Sequence, residues 1–212
     1  MTYAELSQLI QDYMESTETT MVGNVDNFIE FSEKKIYRSV DLSEGHKYQT
    51  ATMTIGDEFV SLPSDCVVIR SVQVIDASTN DRTTLEQKDS TFMDEYILDR
   101  DSTGTPKYYS WYDADAILLA PSPDAADTVE IGYTFRPTQL SSSQTTTWLS
   151  TEAPDVLLNA CLLEVAEFNR LEQADIQFYE KRYMESLQGL LMEENFRNRQ
   201  DSERFRDIKV GA

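Results

Sequence analysis

The stretch from Gly104 to Pro137, GTPKYYSWYDADAILLAPSPDAADTVEIGYTFRP, constrains the fold more tightly than any other. Tyr108, Tyr109, Trp111 and Tyr112 are aromatic strand formers behind Gly104 and Pro106. Asp113-Ala114-Asp115 is a tight polar turn, and Ala116–Ala120 is a short apolar strand stopped by Pro121 and Pro123. From Asp127 to Arg136 the chain alternates. Val129, Ile131, Tyr133 and Phe135 face one way, and Thr128, Glu130, Thr134 and Arg136 the other. Alternation with one polar face predicts antiparallel strands with one side buried.

Helical periodicity brackets this region. Leu6, Leu9, Ile10, Tyr13 and Met14 share one face of a helix predicted over Thr2–Ser16, with Thr2 and Glu5 as a capping box. A polar connector to Gly23 precedes a second helix, from Asn24 or Asp26 to about Val40. Its stripe is Ile29, Glu33, Ile36, Tyr37 and Val40, with Phe28 and Phe31 beside it. Strands are predicted at Tyr48–Ile55, at Phe59–Leu62, at Cys66–Ile75 (read as buried) and at Thr83–Glu86. A short helix over Ser90–Leu98 turns Phe92, Tyr96 and Ile97 inward. Together the strands make one sheet of about six or seven, an ordinary size. After a Ser/Thr/Gln-rich connector, pinned by Leu140 and Trp148, Pro154 opens a helix that is apolar on most of its circumference and therefore central to a bundle. A further helix carries Ile176, Tyr179, Tyr183, Leu187 and Leu190 on one stripe. The expected fold is α+β: a helical bundle from the N- and C-terminal helices with an inserted antiparallel β domain. The expected parts are an N-terminal helical hairpin (1–45), the β domain (46–148), the C-terminal bundle helices (149–195) and a tail (196–212).

The formal net charge is −20. Such acidity opposes non-specific binding to DNA, RNA or an anionic membrane, all of which need basic patches. No stretch has the ~18 apolar residues of a membrane-spanning helix. The first residues, MTYAELSQLIQDYMES, lack the basic segment of a signal peptide. Cys66 and Cys161 stand far apart in apolar stretches and read as buried reduced thiols, which places the chain in a reducing cytoplasm. The single histidine, His46, reads as an exposed loop residue. Zinc, nucleotide and hydrolase motifs are missing, and carboxylate pairs such as Asp113 and Asp115 follow from abundance, so the expectation is no enzyme, no metal and no cofactor.

The tail differs from the body. From Glu193 onward acids and bases balance, so residues 1–192 carry the whole −20. Phe196, Arg197, Arg199, Arg204, Phe205 and Arg206 are the candidate partner-binding residues, as aromatic and arginine anchors of a docking segment; a solvated terminus is the other reading.

Several segments in order resemble the head-to-tail adaptor of short-tailed bacteriophages, the tubular-tail-A-like family. They are TYAELSQLI, FVSLPSDCVVIRSVQV, the Gly104–Pro137 stretch, and WLSTEAPDVLLNACLLEVAEF leading into a long polar helix. The resemblance runs from residue 1 to about 195. It implies a structural virion protein with no enzymatic activity and no cofactor. It also implies a homo-oligomeric ring of twelve subunits between the portal protein and the tail nozzle protein, through which DNA passes without specific binding. The implied place is the tail or neck of the virion, with assembly in the bacterial host cytoplasm. The tail would dock on the portal, and the β domain would meet the nozzle. Another neck or tail component, and a monomeric acidic binding module with a pocket near Trp111 and Tyr133, stay open as alternatives.

Overall fold

A computed structural model describes residues 1–15, 18–97 and 102–207, with side chains described as far as Arg197. In chain order the elements are helices α1 (Tyr3–Tyr13), α2 (Thr19–Val22) and α3 (Val25–Ser39), then strands β1 (His46–Thr52), β2 (Phe59–Ser61), β3 (Cys66–Ile75), β4 (Arg82–Thr84) and β5 (Glu86–Gln87). Helix α4 (Ser90–Tyr96), strands β6 (Tyr108–Trp111), β7 (Ala116–Ala120) and β8 (Thr128–Phe135), and helices α5 (Trp148–Glu152), α6 (Pro154–Phe168) and α7 (Gln173–Asp207) complete the chain. The fold class is α+β, as expected. Residues 1–44 and those from 137 onward form one compact unit, and residues 45–136 form another.

The helical unit is built on α6. Val156, Leu157, Ala160, Cys161, Leu162, Leu163, Val165 and Ala166 are all buried, so the helix is covered nearly all round. Leu6 and Ile10 of α1, Ile29 and Ile36 of α3, and Tyr183, Leu187 and Leu190 of α7 join it in one core. The predicted capping box of α1 is present. Thr2 Oγ1 accepts from the Glu5 amide at 3.3 Å, and the Glu5 carboxylate accepts from the Thr2 amide at 2.7 Å. The helix ends at Tyr13, earlier than the predicted Ser16, which lies outside the described residues. The connector carries the short helix α2, which seats Met21 in the core.

The Ser/Thr-rich connector runs along this unit. Leu140 is buried, and Tyr3 N–H donates to the Thr145 carbonyl at 2.9 Å. Buried Glu33 of α3 ties the connector down: its carboxylate accepts from the Leu140 amide at 3.1 Å and from Thr147 Oγ1 at 3.3 Å. Burial pushes the Glu33 carboxyl above the usual range, and these two hydrogen bonds pull it partly back.

The β unit holds two four-stranded sheets, ordered β1-β8-β3-β4 and β2-β7-β6-β5, rather than the single predicted sheet. The pairs are antiparallel except β5–β6, which is parallel. Alternation shows which face of a strand is apolar, but not which sheet the strand joins. At the prolines that close β7 only the single bridge Thr103–Ser122 remains among the described residues, and β8 continues in the other sheet. Val72, Val74, Val129, Ile131 and Tyr133 from one sheet and Val60, Tyr109, Ile117 and Leu119 from the other share one core. Strand β3 is not buried throughout. Its register shifts between Cys66 and Val68 and between Ile69 and Ser71, which leaves Val67 and Val68 exposed. Met93 of α4 is the fully buried residue over Leu118 and Ala120, while Tyr96, predicted to face inward, is exposed. His46 opens β1 and is partly buried, rather than exposed in a loop. At one end of the sandwich Lys47 Nζ and Tyr133 Oη both donate to Asp65, at 2.9 and 3.0 Å. The hydrogen bond from Lys47 leads in holding the Asp65 carboxyl below the usual range.

Glu33→Ala leaves the buried Leu140 amide without an acceptor, so it is expected to lower stability by about 1–3 kcal/mol. Glu33→Gln retains an acceptor and costs less. The stability linked to the raised carboxyl is present below the unfolded pKa and lost as pH rises through the folded one. The stability of Glu33→Gln relative to wild type therefore increases with pH, and chemical denaturation at pH 5 and pH 8 checks the sign.

Candidate partner-binding surfaces

The helical unit has two candidate surfaces for a partner. The first is the outer face of α7. With 35 residues, the helix is about 50 Å long. Its inner stripe, from Tyr183 through Leu187 and Leu190 to Glu194, is buried. Its outer side exposes Phe178, Met192 and Phe196, at 56%, 63% and 66%. These positions recur at intervals that keep them on one side of a 3.6-residue helix. Arg182 lies over the Phe178 ring at 5.7 Å.

The predicted docking residues fall on the last turns of this helix. Phe196 is exposed. Arg197 Nη1 donates to Glu194 Oε1 at 3.0 Å. Glu194 is itself 3% exposed, and its other oxygen accepts from the Ser43 amide at 2.9 Å. Arg197 is therefore held by a carboxylate that also ties α7 to the segment after α3. The backbone continues as helix through Asp207, so positions 199, 204, 205 and 206 are helical; the side chains of Arg199, Arg204, Phe205 and Arg206 lie outside the described residues. Positions 197 and 204 are in line along the helix, as are 199 and 206, whereas 205 is half a turn from 196. Helical spacing gave the inner stripe of α7 in the sequence. Phe178 and Met192 carry no signal in the sequence, being isolated hydrophobes in a charged segment, and Glu194 reads there as one acid of many.

The second surface is an open groove of about 540 Å³ lined by Phe31, Lys34, Lys35, Arg38, Ser39 and Glu164. Helix α3 faces it with three cations. Lys34 pairs with Glu30, and Lys35 pairs with Glu164 of α6 at 3.0 Å. Among the described residues Arg38 forms no ion pair, and it is exposed. Phe31 is 52% exposed, not beside the buried stripe as its neighbour Phe28 is. The stripe centred on Ile29, Ile36 and Glu33 lies on the opposite side of the helix from position 31.

On the β unit the predicted turn Asp113-Ala114-Asp115 is the tip of the β6–β7 hairpin. The Tyr112 and Asp113 amides donate to the Ala116 carbonyl, and Asp113 Oδ1 accepts from the Asp115 amide at 2.8 Å. Tyr112, 61% exposed, packs on Phe59 with ring centroids 4.7 Å apart. At the start of β2, toward the other end of β7, Asp57 accepts from the Phe59 amide at 3.0 Å. Tyr133, considered with Trp111 as a pocket wall, is buried in the sandwich core.

Cys161 is fully buried, and burial pushes its thiol up to about 12. Among the described residues there is no group of three or more His, Cys, Asp or Glu placed to hold a metal ion, and no helix is long and apolar enough to cross a membrane. The candidate surfaces are built from exposed aromatics, Met192 and charge. Glu194→Ala removes the acceptor of the Ser43 amide, so faster hydrogen exchange is expected at Ser43 and over residues 190–200, with a stability loss of about 1–3 kcal/mol.

No curated protein matches the chain. The model of the family described as SU10 adaptor protein matches residues 1–207, nearly the whole length. The chain thus belongs to the SU10 adaptor protein family, a bacteriophage head-to-tail adaptor family, and is a structural phage protein of that kind.

Proposed function

We propose that the protein forms a ring of twelve copies in the virion neck, between the portal protein and the tail nozzle protein, and that DNA passes through the ring. The family match over residues 1–207 carries this reading. The surfaces support it. A ring subunit needs polar interfaces on a stable body, and both units have separate cores with charged and aromatic features outside them. The −20 charge keeps the wall of such a conduit from retaining DNA phosphates. The portal-docking surface is the end of α7, with Phe196 and Arg197 at its start and Arg199, Arg204, Phe205 and Arg206 beyond. Aromatic and arginine side chains are the usual anchors of protein interfaces. The β unit meets the nozzle. Assembly takes place in the bacterial host, where the portal templates ring closure.

Native mass spectrometry tests this with the portal of the same phage. Mixing is expected to add twelve copies to each portal ring, whatever the oligomeric state of the free protein. Phe196→Ala with Arg197→Ala is expected to weaken that binding by about thirtyfold or more, as interface anchors do when truncated (about 2 kcal/mol or more). A portal that binds no copy of the wild-type protein overturns the adaptor–portal assignment and moves the protein to another neck or tail position.

A further inference from the structure

We propose that the groove on α3 seats the β6–β7 hairpin tip of a second copy of this chain. The proposal rests on the ring reading and names the surfaces that join neighbours. The two surfaces are complementary in charge. The groove presents Lys34, Lys35 and Arg38, and its ion pairs with Glu30 and Glu164 leave a net positive charge. The tip presents Asp113 and Asp115, both exposed, and among the described residues neither forms an ion pair. Exposed surface pairs are weak, so Lys34 can exchange Glu30 for a carboxylate on a partner at little cost.

The two surfaces also match in apolar content. Phe31 stands half-exposed in the groove, and the tip carries the Phe59–Tyr112 pair. Aromatic anchors ringed by charge are the usual composition of an interface centre. The tip suits insertion because its backbone is pinned by the turn hydrogen bonds to Ala116 and by the Asp113–Asp115 bond, so little ordering entropy opposes docking. Nucleic acid is disfavoured as the occupant, because Glu164 lies in the groove and the whole chain is strongly anionic. Groove and tip are different surfaces, so their contact is head-to-tail. Repetition of such a contact gives a ring or a filament rather than a closed two-fold dimer.

Zero-length carbodiimide cross-linking tests the contact. Unlabelled and 15N-labelled full-length protein are mixed, concentrated with and without portal, and coupled. Mixed-label peptides joining Lys34 or Lys35 to Asp113 or Asp115 are expected. Lys34→Glu with Arg38→Glu, and separately Asp113→Lys with Asp115→Lys, should each lower self-assembly by about tenfold or more, and the four-substitution chain should regain it, since charge complementarity is restored. Circular dichroism melts confirm that each variant is folded. The contact is overturned if the groove lysines couple only within one chain, or if either double variant assembles as well as wild type. A portal-bound ring of unchanged mass in that case leaves the ring reading intact, whereas mixed-label cross-links without portal binding support the contact and count against the portal assignment.

Discussion

Burial of α6 is the constraint on which the helical unit depends. A helix that is apolar nearly all round cannot present any face to water, so it needs cover on every side. That cover comes from both ends of the chain: α1 and α3 from before the β unit, and α5 and α7 from after it. The β unit is consequently an insertion between two halves of one core. The connector from Pro137 to Thr147 follows the same logic. Its backbone amides need acceptors where it crosses the bundle, and Glu33 supplies one at the cost of burying a carboxylate.

The β unit meets a different requirement. Its strands are too short to bury enough surface as one layer, so two sheets close on a common core. Residues 121–127 carry the chain across from β7 to β8. The register shifts of β3 let Ile69, Val72 and Val74 all point inward although their spacing breaks simple alternation, and they turn Val67 and Val68 out. Gly132 sits where a methyl group would fall 2.6 Å from Ser71 Oγ and 2.8 Å from the Tyr48 ring, so glycine lets Tyr48 lie across the sheet there.

Each unit thus puts most of its apolar residues into its own core, and what remains outside is charge with scattered aromatic and aliphatic side chains. For a structural phage adaptor this division is useful. Each unit has a core of its own, and the proposed partner contacts use groups that tolerate water before assembly. The outer face of α7, the α3 groove and the β6–β7 tip are each of this mixed character, and none resembles a cut-open core.

The sequence by itself determined the fold class, the central place of α6, the capping box at Thr2, the inward side of β8 and the turn at Asp113–Asp115. Each is a local matter of periodicity, capping or turn chemistry. Its resemblance to adaptor proteins, carried by the order of segments, was legible for the same reason, and it agrees with the family the chain belongs to. Tertiary structure alone decided that the strands divide into two sheets, because partner choice depends on contacts between distant segments. It alone decided that Phe31 faces out while Phe28 faces in, that Glu33 and Glu194 are buried ties, and that Arg197 is held by one of them. A buried carboxylate reads in sequence like any of the other acids in this chain, since only the group that comes to lie opposite it gives it a structural role.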